Sequence, residues 1–184
     1  VAMVQPGVSV IDEHGAPYKP LADRVKAVLR PATHGRPREL KGKTLAQSLT
    51  RADWAYFPSI TWRADYVKKH RFDQRYPIAL DLALMLNIIL DGGSMLLDDR
   101  VVFEYRRHRS SESAVTATNG TRFEQEIALF TAYQGRFKAA GWRLASWEAQ
   151  AHVVTRLNAA IEALGAAKAG HFPRAARLAS FVLR

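Results

Sequence analysis

One carboxylate stands in the most apolar stretch of the sequence. Residues 78–90 carry apolar side chains on every face of a predicted helix, interrupted by Asp81 and Asn87. Such a helix is buried all round, and a carboxylate within it is costly unless it is paired, hydrogen-bonded or used in chemistry. Two interpretations stay open. Asp81 is either a structural aspartate bonded to an arginine such as Arg63 or Arg75 or to a backbone group, or a general base that accepts a hydroxyl proton.

A second group of chemically capable residues follows a predicted strand over 95–105. Arg106, Arg107 and His108 stand next to one another, with Arg109 behind them. A neutral imidazole can ligate a divalent ion while guanidinium groups neutralise phosphate oxygens. The same residues are also consistent with a packed histidine in a solvated, positively charged loop. The pattern therefore indicates a candidate diphosphate and metal site without excluding the simpler interpretation.

The elements that must position these residues are mixed in type. Alternation and turn residues predict strands at 8–11 and 95–105, and the aromatic residues of 54–63 predict a strand or an extended segment. Apolar periodicity predicts helices in between. A basic Pro/Gly loop is predicted over 30–42 and an Arg/Ser/Thr loop over 106–120. The later part is predicted to be helical, starting from a capping box of Thr121 and Glu124. The predicted helices cover 20–29, 43–50, 64–70, 78–90, 122–139, 146–167 and 172–183.

Composition and charge narrow the class of protein. The 184 residues are 48% hydrophobic and 24% charged, which is typical of a globular domain with its own core. The net charge of +10 indicates an anionic partner such as a phosphorylated small molecule, nucleic acid or acidic lipid. The absence of cysteine excludes disulfides and thiolate metal sites. With no signal peptide at the start and no apolar run of membrane-spanning length, we expect a cytoplasmic location.

Several segments, taken in order, resemble the later half of a family 2 glycosyltransferase with a GT-A fold. The resemblance covers roughly residues 1–115, and the order and spacing of its segments make it more specific than any one of them. Its segments are Phe57–Arg63, Arg71-Phe72-Asp73 where the family usually has Gly-Phe-Asp, the helix start Leu80–Leu84, and Tyr105-Arg106-Arg107-His108 followed by Ser110, Ser111 and Ser113.

The resemblance implies an α/β fold and a reaction. We expect an acceptor-side half of a GT-A-like domain over 1–118, lacking the nucleotide-binding half, and a helical extension over 119–184. The implied reaction transfers a sugar from a nucleotide-diphosphate donor to the hydroxyl of a glycan or lipid-linked acceptor, with inversion. It implies a role in bacterial cell-wall or polysaccharide biosynthesis.

The same resemblance implies roles for individual residues. Asp81 matches the catalytic base, and His108 matches a residue that holds a divalent metal, Mn²⁺ or Mg²⁺, and the diphosphate. Arg106 and Arg107 are expected to contact phosphate. Arg63 and Asp73 are expected to be substrate-side or structural supports.

The sequence also departs from the family pattern. Leu80 stands where the family often has the first acid of a pair, Arg71 replaces a glycine, and the chain has no Asp-x-Asp motif. We therefore expect a piece of a longer enzyme. The alternative function is a non-enzymatic basic module that binds nucleic acid or an acidic membrane surface, although nucleic acid does not explain Asp81. A third interpretation is a membrane-surface adaptor that works through the terminal segment 171–184. An ordinary docked helix also explains this segment. For the enzyme itself, peripheral contact with the inner membrane face is compatible with the charge.

Overall fold

The computed structural model describes residues 1–108 and 112–183, apart from the side chains at positions 22 and 112–114. Ser110 and Ser111 lie outside these residues, and so does the side chain of Ser113. The side chains of the serines that follow Tyr105-Arg106-Arg107-His108 in the resemblance are therefore not described. The strands are β1 (Met3–Ile11), β2 (Arg38–Lys41), β3 (Thr61–Trp62) and β4 (Ser94–Arg106). The helices are α1 (Leu21–Leu29), α2 (Gly42–Ala52), a 3₁₀ turn (Phe57–Ser59), α3 (Ala64–His70), α4 (Leu80–Leu90), α5 (Glu112–Asn119), α6 (Thr121–Ala139), α7 (Arg143–Ala151), α8 (Val153–Lys168) and α9 (Phe172–Ser180).

Within the described residues, the strands form a mixed four-stranded sheet in the order β2-β4-β1-β3. β1 and β4 run parallel, while β2 and β3 pair antiparallel at the two edges. The register between β1 and β4 runs from Met3 opposite Met95 to Ile11 opposite Arg106. Both strands therefore end at the same edge of the sheet. The predicted α/β class is confirmed, and so are the strands predicted at 8–11 and 95–105.

The main core is built around α4. Its residues 82–86, 88 and 89 are buried, as expected for a helix that is apolar on every face. They pack with buried residues of α2, α6 and α7 and with β1 and β4 residues such as Met3 and Met95. Gly93 lets β4 start directly after this helix, because a Cβ there would lie 2.4 Å from Ile88 Cγ2. The core thus fixes the helix that carries Asp81.

The C-terminal helices divide between two clusters. α6 and α7 contribute Leu129, Phe137 and Ala149 to the main core. α8 and α9 form a smaller cluster with Phe123 at the start of α6, in which Leu178 and Phe181 are buried. The domain boundary expected near residue 118 stays a prediction. Helix α6 packs against elements that precede this position, because its residues Leu129 and Phe137 belong to the main core.

Several local predictions were wrong. The loop predicted over 30–42 contains β2. The segment 54–63, predicted as an aromatic strand or extended segment, is a strand only at the two-residue β3 and contains a 3₁₀ turn at Phe57–Ser59. The loop predicted over 106–120 contains α5. β2 is a short edge strand that pairing with β4 stabilises, and such tertiary pairing is not encoded in local propensity.

The predicted start of α6 and the predicted path of the tail also needed correction. The N-cap of α6 is Gly120 with a φ of 84°, and the Thr121 N–H donates to Asn119 Oδ1, so no capping box forms. The helix predicted over 146–167 is two helices, separated at His152 with a φ of 49°. Trp147 is 56% exposed and does not pack the tail onto the core, unlike Trp142.

Candidate functional site

Asp81 occupies the first turn of α4, at the edge of the apolar core. The side chain of Gln125 on α6 accepts a 2.9 Å hydrogen bond from the Ile78 N–H just before the helix, and the Tyr133 hydroxyl donates to the Ala83 carbonyl at 3.0 Å. These contacts hold the start of α4 against α6. The carboxylate itself accepts a 2.8 Å hydrogen bond from the Leu82 N–H. The first turn of α4, which carries Asp81, is therefore held in place by hydrogen bonds with α6.

Burial changes the chemistry of this carboxylate. Desolvation is the largest cause that raises the pKa of Asp81 to about 6, and the nearby charge of Asp53 raises it further. The Leu82 N–H and the ammonium of Lys26 act in the opposite direction. A carboxylate with this pKa takes up and releases protons close to neutral pH, which is the property of a general base or acid.

Two cations lie near this carboxylate. Lys26 on α1 donates from Nζ to the Ala55 carbonyl at 3.2 Å and stands 5.3 Å from the centre of the Tyr56 ring. Lys26 is half-buried. Desolvation lowers the pKa of its ammonium, while the negative charges of Asp53 and Asp81 act to raise that pKa. Arg122 lies in the first turn of α6, and its Nε donates to Glu126 at 2.6 Å. The charge of Glu126 raises the pKa of this guanidinium most, and the charges of Asp53 and Asp81 also raise it.

A fully paired network lies next to this cluster, at the shared end of β1 and β4. Arg107 donates from Nε and Nη2 to the two oxygens of Asp23 at 3.0 and 2.7 Å. The Tyr56 hydroxyl donates to the same carboxylate at 2.8 Å, and the Tyr56 and Tyr105 rings are 5.3 Å apart. Lys26 connects the two groups, since the charges of both Arg107 and Asp81 act on its pKa.

The residues predicted to hold a diphosphate and metal are only partly brought together. Arg107, which we expected to contact phosphate, is paired with Asp23. Arg106 donates from Nη1 to the carbonyls of Asp12 and Glu13 at 3.0 and 3.1 Å, which ties β4 to the turn after β1. His108 is exposed at the end of β4. Among the residues that the structure describes, no group of three or more His, Asp or Glu side chains could hold a metal ion.

The two predicted supports lie in local ion pairs. Arg63 donates to Asp65 two residues later, through Nε at 2.8 Å. Asp73 accepts from Arg75 two residues later, with Nη2 at 2.7 Å. The roles of the two supports in binding a substrate stay predictions.

The structural alternative for Asp81 named an arginine such as Arg63 or Arg75, or a backbone group, as its partner. Both arginines are paired with other carboxylates. The hydrogen bond from the Leu82 N–H is a backbone contact of the kind that this alternative predicts.

Sequence reasoning missed the surroundings of Asp81. Asp53, Lys26 and Arg122 come from three different elements that only the tertiary fold brings together, and none belongs to a recognisable motif. Asp23 had one weak signal, because it is the acidic residue of a short basic helix. Long-range charge pairing of this kind leaves no periodic trace in a single sequence.

Comparisons with protein-family models, curated proteins and solved structures return no match for this chain. None of the helices in the described residues combines the length and the apolarity needed to cross a bilayer.

Proposed function

We propose that the chain supplies the acceptor side of an inverting glycosyltransferase with a GT-A-like fold, in which Asp81 is the general base. The observation that carries the proposal is the state of Asp81: a carboxylate held on a rigid helix start, desolvated, with a pKa raised to about 6. The ordered resemblance of residues 1–115 to family 2 glycosyltransferases supplies the reaction class. The implied substrates are a nucleotide-diphosphate sugar and a glycan or lipid-linked acceptor.

The chemistry assigned to Asp81 is one proton transfer. The acceptor hydroxyl oxygen attacks the anomeric carbon as the bond from that carbon to the diphosphate oxygen breaks. The diphosphate leaves with the bonding electron pair, and the hydroxyl proton passes to an Asp81 carboxylate oxygen. A base with a pKa near the working pH is ionised for the attack and still basic enough to take the proton.

The neighbouring cations support the ionised form of this base. Burial alone would leave Asp81 protonated at higher pH, and the positive charge of Lys26 lowers its pKa. Arg122 is a second nearby cation, because the charge of Asp81 raises the pKa of its guanidinium. These two residues thus let a desolvated carboxylate act as a base near neutrality.

The divalent metal implied by the resemblance does not fit the donor set of the described residues. His108 is the only metal ligand that the sequence proposed, and the described His, Asp and Glu side chains do not gather into a group that could hold an ion. No step of the proposed reaction is therefore assigned to a metal here. Bound to an enzyme of this class, such an ion would neutralise charge on the leaving diphosphate.

The test is the Asp81→Asn substitution in a protein that joins this chain to a donor-binding half. We expect transfer to fall by about 10²–10⁴-fold, the range for loss of a general base, while binding of the nucleotide sugar, measured by calorimetry, stays at the wild-type level.

Asp91→Asn is the matched control, because Asp91 follows the other end of the same helix and pairs with Lys69 at 2.7 Å. Its transfer rate is expected to equal that of the wild type. Unchanged turnover in the Asp81→Asn protein would remove Asp81 from the mechanism. Strong salt-dependent binding of nucleic acid with no transfer would favour the basic binding module instead.

A further inference from the structure

The outward face of α8 is apolar. The structure describes every residue of this helix, and its exposed positions are Val153, Leu157, Ile161, Leu164, Gly165 and Lys168. The four large apolar side chains are between 44% and 63% exposed. Their spacing of four, four and three residues places them along one stripe of an α-helix. A helix on a protein surface normally turns polar and charged residues toward water, so this stripe is unusual.

The inward face of α8 carries small residues instead. Ala159, Ala163 and Ala166 are buried and pack in one cluster with Leu178 and Phe181 of the neighbouring helix region. The helix is thus docked on the rest of the chain by its small side chains and presents its large ones to solvent. Because a continuous exposed apolar patch marks an interaction site, this arrangement indicates a partner for the outward face.

Gly165 indicates the kind of partner that fits. Glycine is unfavourable inside a helix, and within the described residues a Cβ at this position would meet no heavy atom closer than 4 Å. The packing inside the chain therefore does not require a glycine here. Gly165 lies one turn after Ile161 on the exposed stripe, where a missing side chain lets another backbone approach closely. A second helix needs such a gap, whereas a fluid lipid surface does not.

We propose that the stripe of α8 is a self-association surface, on which α8 of a second copy of this chain packs antiparallel to the first. With the two-fold axis near Ile161, Leu157 of each copy lies opposite Leu164 of the other, so that the patch is complementary to itself. The exposed positions from Val153 to Gly165 are uncharged, and the contact therefore brings no like charges together although each chain carries +10.

The size of the stripe sets the strength of this contact. A helix of 16 residues is about 24 Å long and about 10 Å wide, so the stripe covers roughly 200–300 Å². A standard stable interface buries about 800 Å² on each partner, and we therefore expect a weak, reversible dimer. The net charge of +10 on each copy opposes association, and salt screens this repulsion. Dimerisation is thus expected to strengthen with salt, whereas binding to anionic lipid or nucleic acid weakens.

The experiment is sedimentation velocity of this chain from micromolar to millimolar concentrations, at low and at high salt. We expect a reversible equilibrium between monomer and dimer, with more dimer at high salt. Leu157→Gln removes an apolar contact and Gly165→Gln fills the gap between the helices, so each should raise the dissociation constant at least about tenfold. Glutamine is a better helix former than glycine, and the second variant therefore keeps α8 folded.

Two substitutions elsewhere are the matched controls. Leu21→Gln changes a leucine on α1 that is 61% exposed. Gly135→Gln changes an exposed glycine on α6 whose added Cβ would also meet nothing within 4 Å. Neither lies on α8, and both should leave the dissociation constant unchanged.

A cysteine cross-link tests the antiparallel arrangement. The chain has no cysteine, so Ile161→Cys introduces one thiol near the proposed axis, and an added mild oxidant should join two copies through a disulfide. Leu21→Cys should stay unlinked. A wild-type chain that is monomeric at every concentration would overturn the proposal, and so would a dimer that Leu157→Gln leaves intact.

Binding of the monomer to phosphatidylserine vesicles that depends on Leu157, with no dimer, would also overturn the proposal and would assign the stripe to an acidic membrane surface. These measurements need no donor and no acceptor. Their outcome is therefore independent of the transfer reaction proposed for Asp81.

Discussion

Asp23 is buried and Asp81 is half-buried, and the surroundings of the two carboxylates differ. Asp23 accepts hydrogen bonds from two nitrogens of Arg107 and from the Tyr56 hydroxyl, and it is 5% exposed. Asp81 accepts from the Leu82 N–H, forms no salt bridge within the described residues, and has another carboxylate nearby. Lys26 stands between the two. Asp23 has the Arg107 guanidinium as an ion-pair partner, whereas Asp81 has no such partner in the part of the chain that the structure describes.

The difference matches a structural role for Asp23 and the chemical role that we propose for Asp81. The oxygens of Asp23 already accept hydrogen bonds from a guanidinium and a hydroxyl, so this carboxylate is occupied by structural partners. A desolvated carboxylate with a raised pKa is destabilising to the fold, and natural proteins keep such groups mostly at functional sites. The pairing with Asp23 gives Arg107 a structural contact at the shared end of β1 and β4.

The largest predicted effect concerns the paired site. Asp23→Asn leaves the Arg107 guanidinium, 23% exposed in its side chain, without its anionic partner. We expect the free energy of unfolding to fall by about 3–5 kcal/mol, as found for broken buried ion pairs. Denaturant unfolding at pH 7 measures it. Asp65→Asn, which breaks the exposed pair with Arg63, is the control and should be close to the wild type. A loss no larger than that of the control would contradict the comparison.

The opposite sign is predicted for the uncompensated site. Because the pKa of Asp81 rises from 3.8 to about 6 on folding, the folded state binds this proton more tightly than the unfolded state. Stability is thus lost as the pH rises from about 4 to about 6, and the loss is complete above that range. Asp81→Asn should stabilise the protein by about 1–3 kcal/mol at pH 7.

The check is denaturant unfolding of the Asp81→Asn and wild-type proteins between about pH 3.5 and pH 8, a range that spans the shift in the pKa of Asp81. The two stability curves should converge near the acidic end. Asp91→Asn is the control with the opposite sign, since Lys69 and His70 lower the pKa of Asp91. A destabilised Asp81→Asn protein at pH 7 would show that the carboxylate is structural.

The parts of the fold that could be predicted from the sequence are those with a strong local signal. The apolar run at 78–90 predicts a buried helix, and the alternation at 95–105 predicts a strand; both are confirmed. β2 depends on pairing with β4, and the break at His152 depends on a left-handed residue that is not glycine. Neither has a local pattern that separates it from a loop or a continuous helix.

The candidate site shows the same limit more clearly. A single acid in an apolar helix draws attention to Asp81, since burial of a charge is costly in any fold. The sequence could not show that Asp53 and Lys26 would be its neighbours, because they lie far apart along the chain. It also could not show that Asp23 would pair with Arg107, whose contact with phosphate stays a prediction. Composition gives the net charge, whereas the fold decides which charges pair.

The most direct measurement of the central claim is the pKa of the Asp81 side chain in the wild-type chain. Its carboxyl ¹³C resonance can be assigned by its loss in the Asp81→Asn protein and then followed with pH. We predict a midpoint of about 6. A midpoint at or below the ordinary value of 3.8 would mean that Asp81 is as well compensated as a surface aspartate, and it would contradict the assignment of this residue as a base.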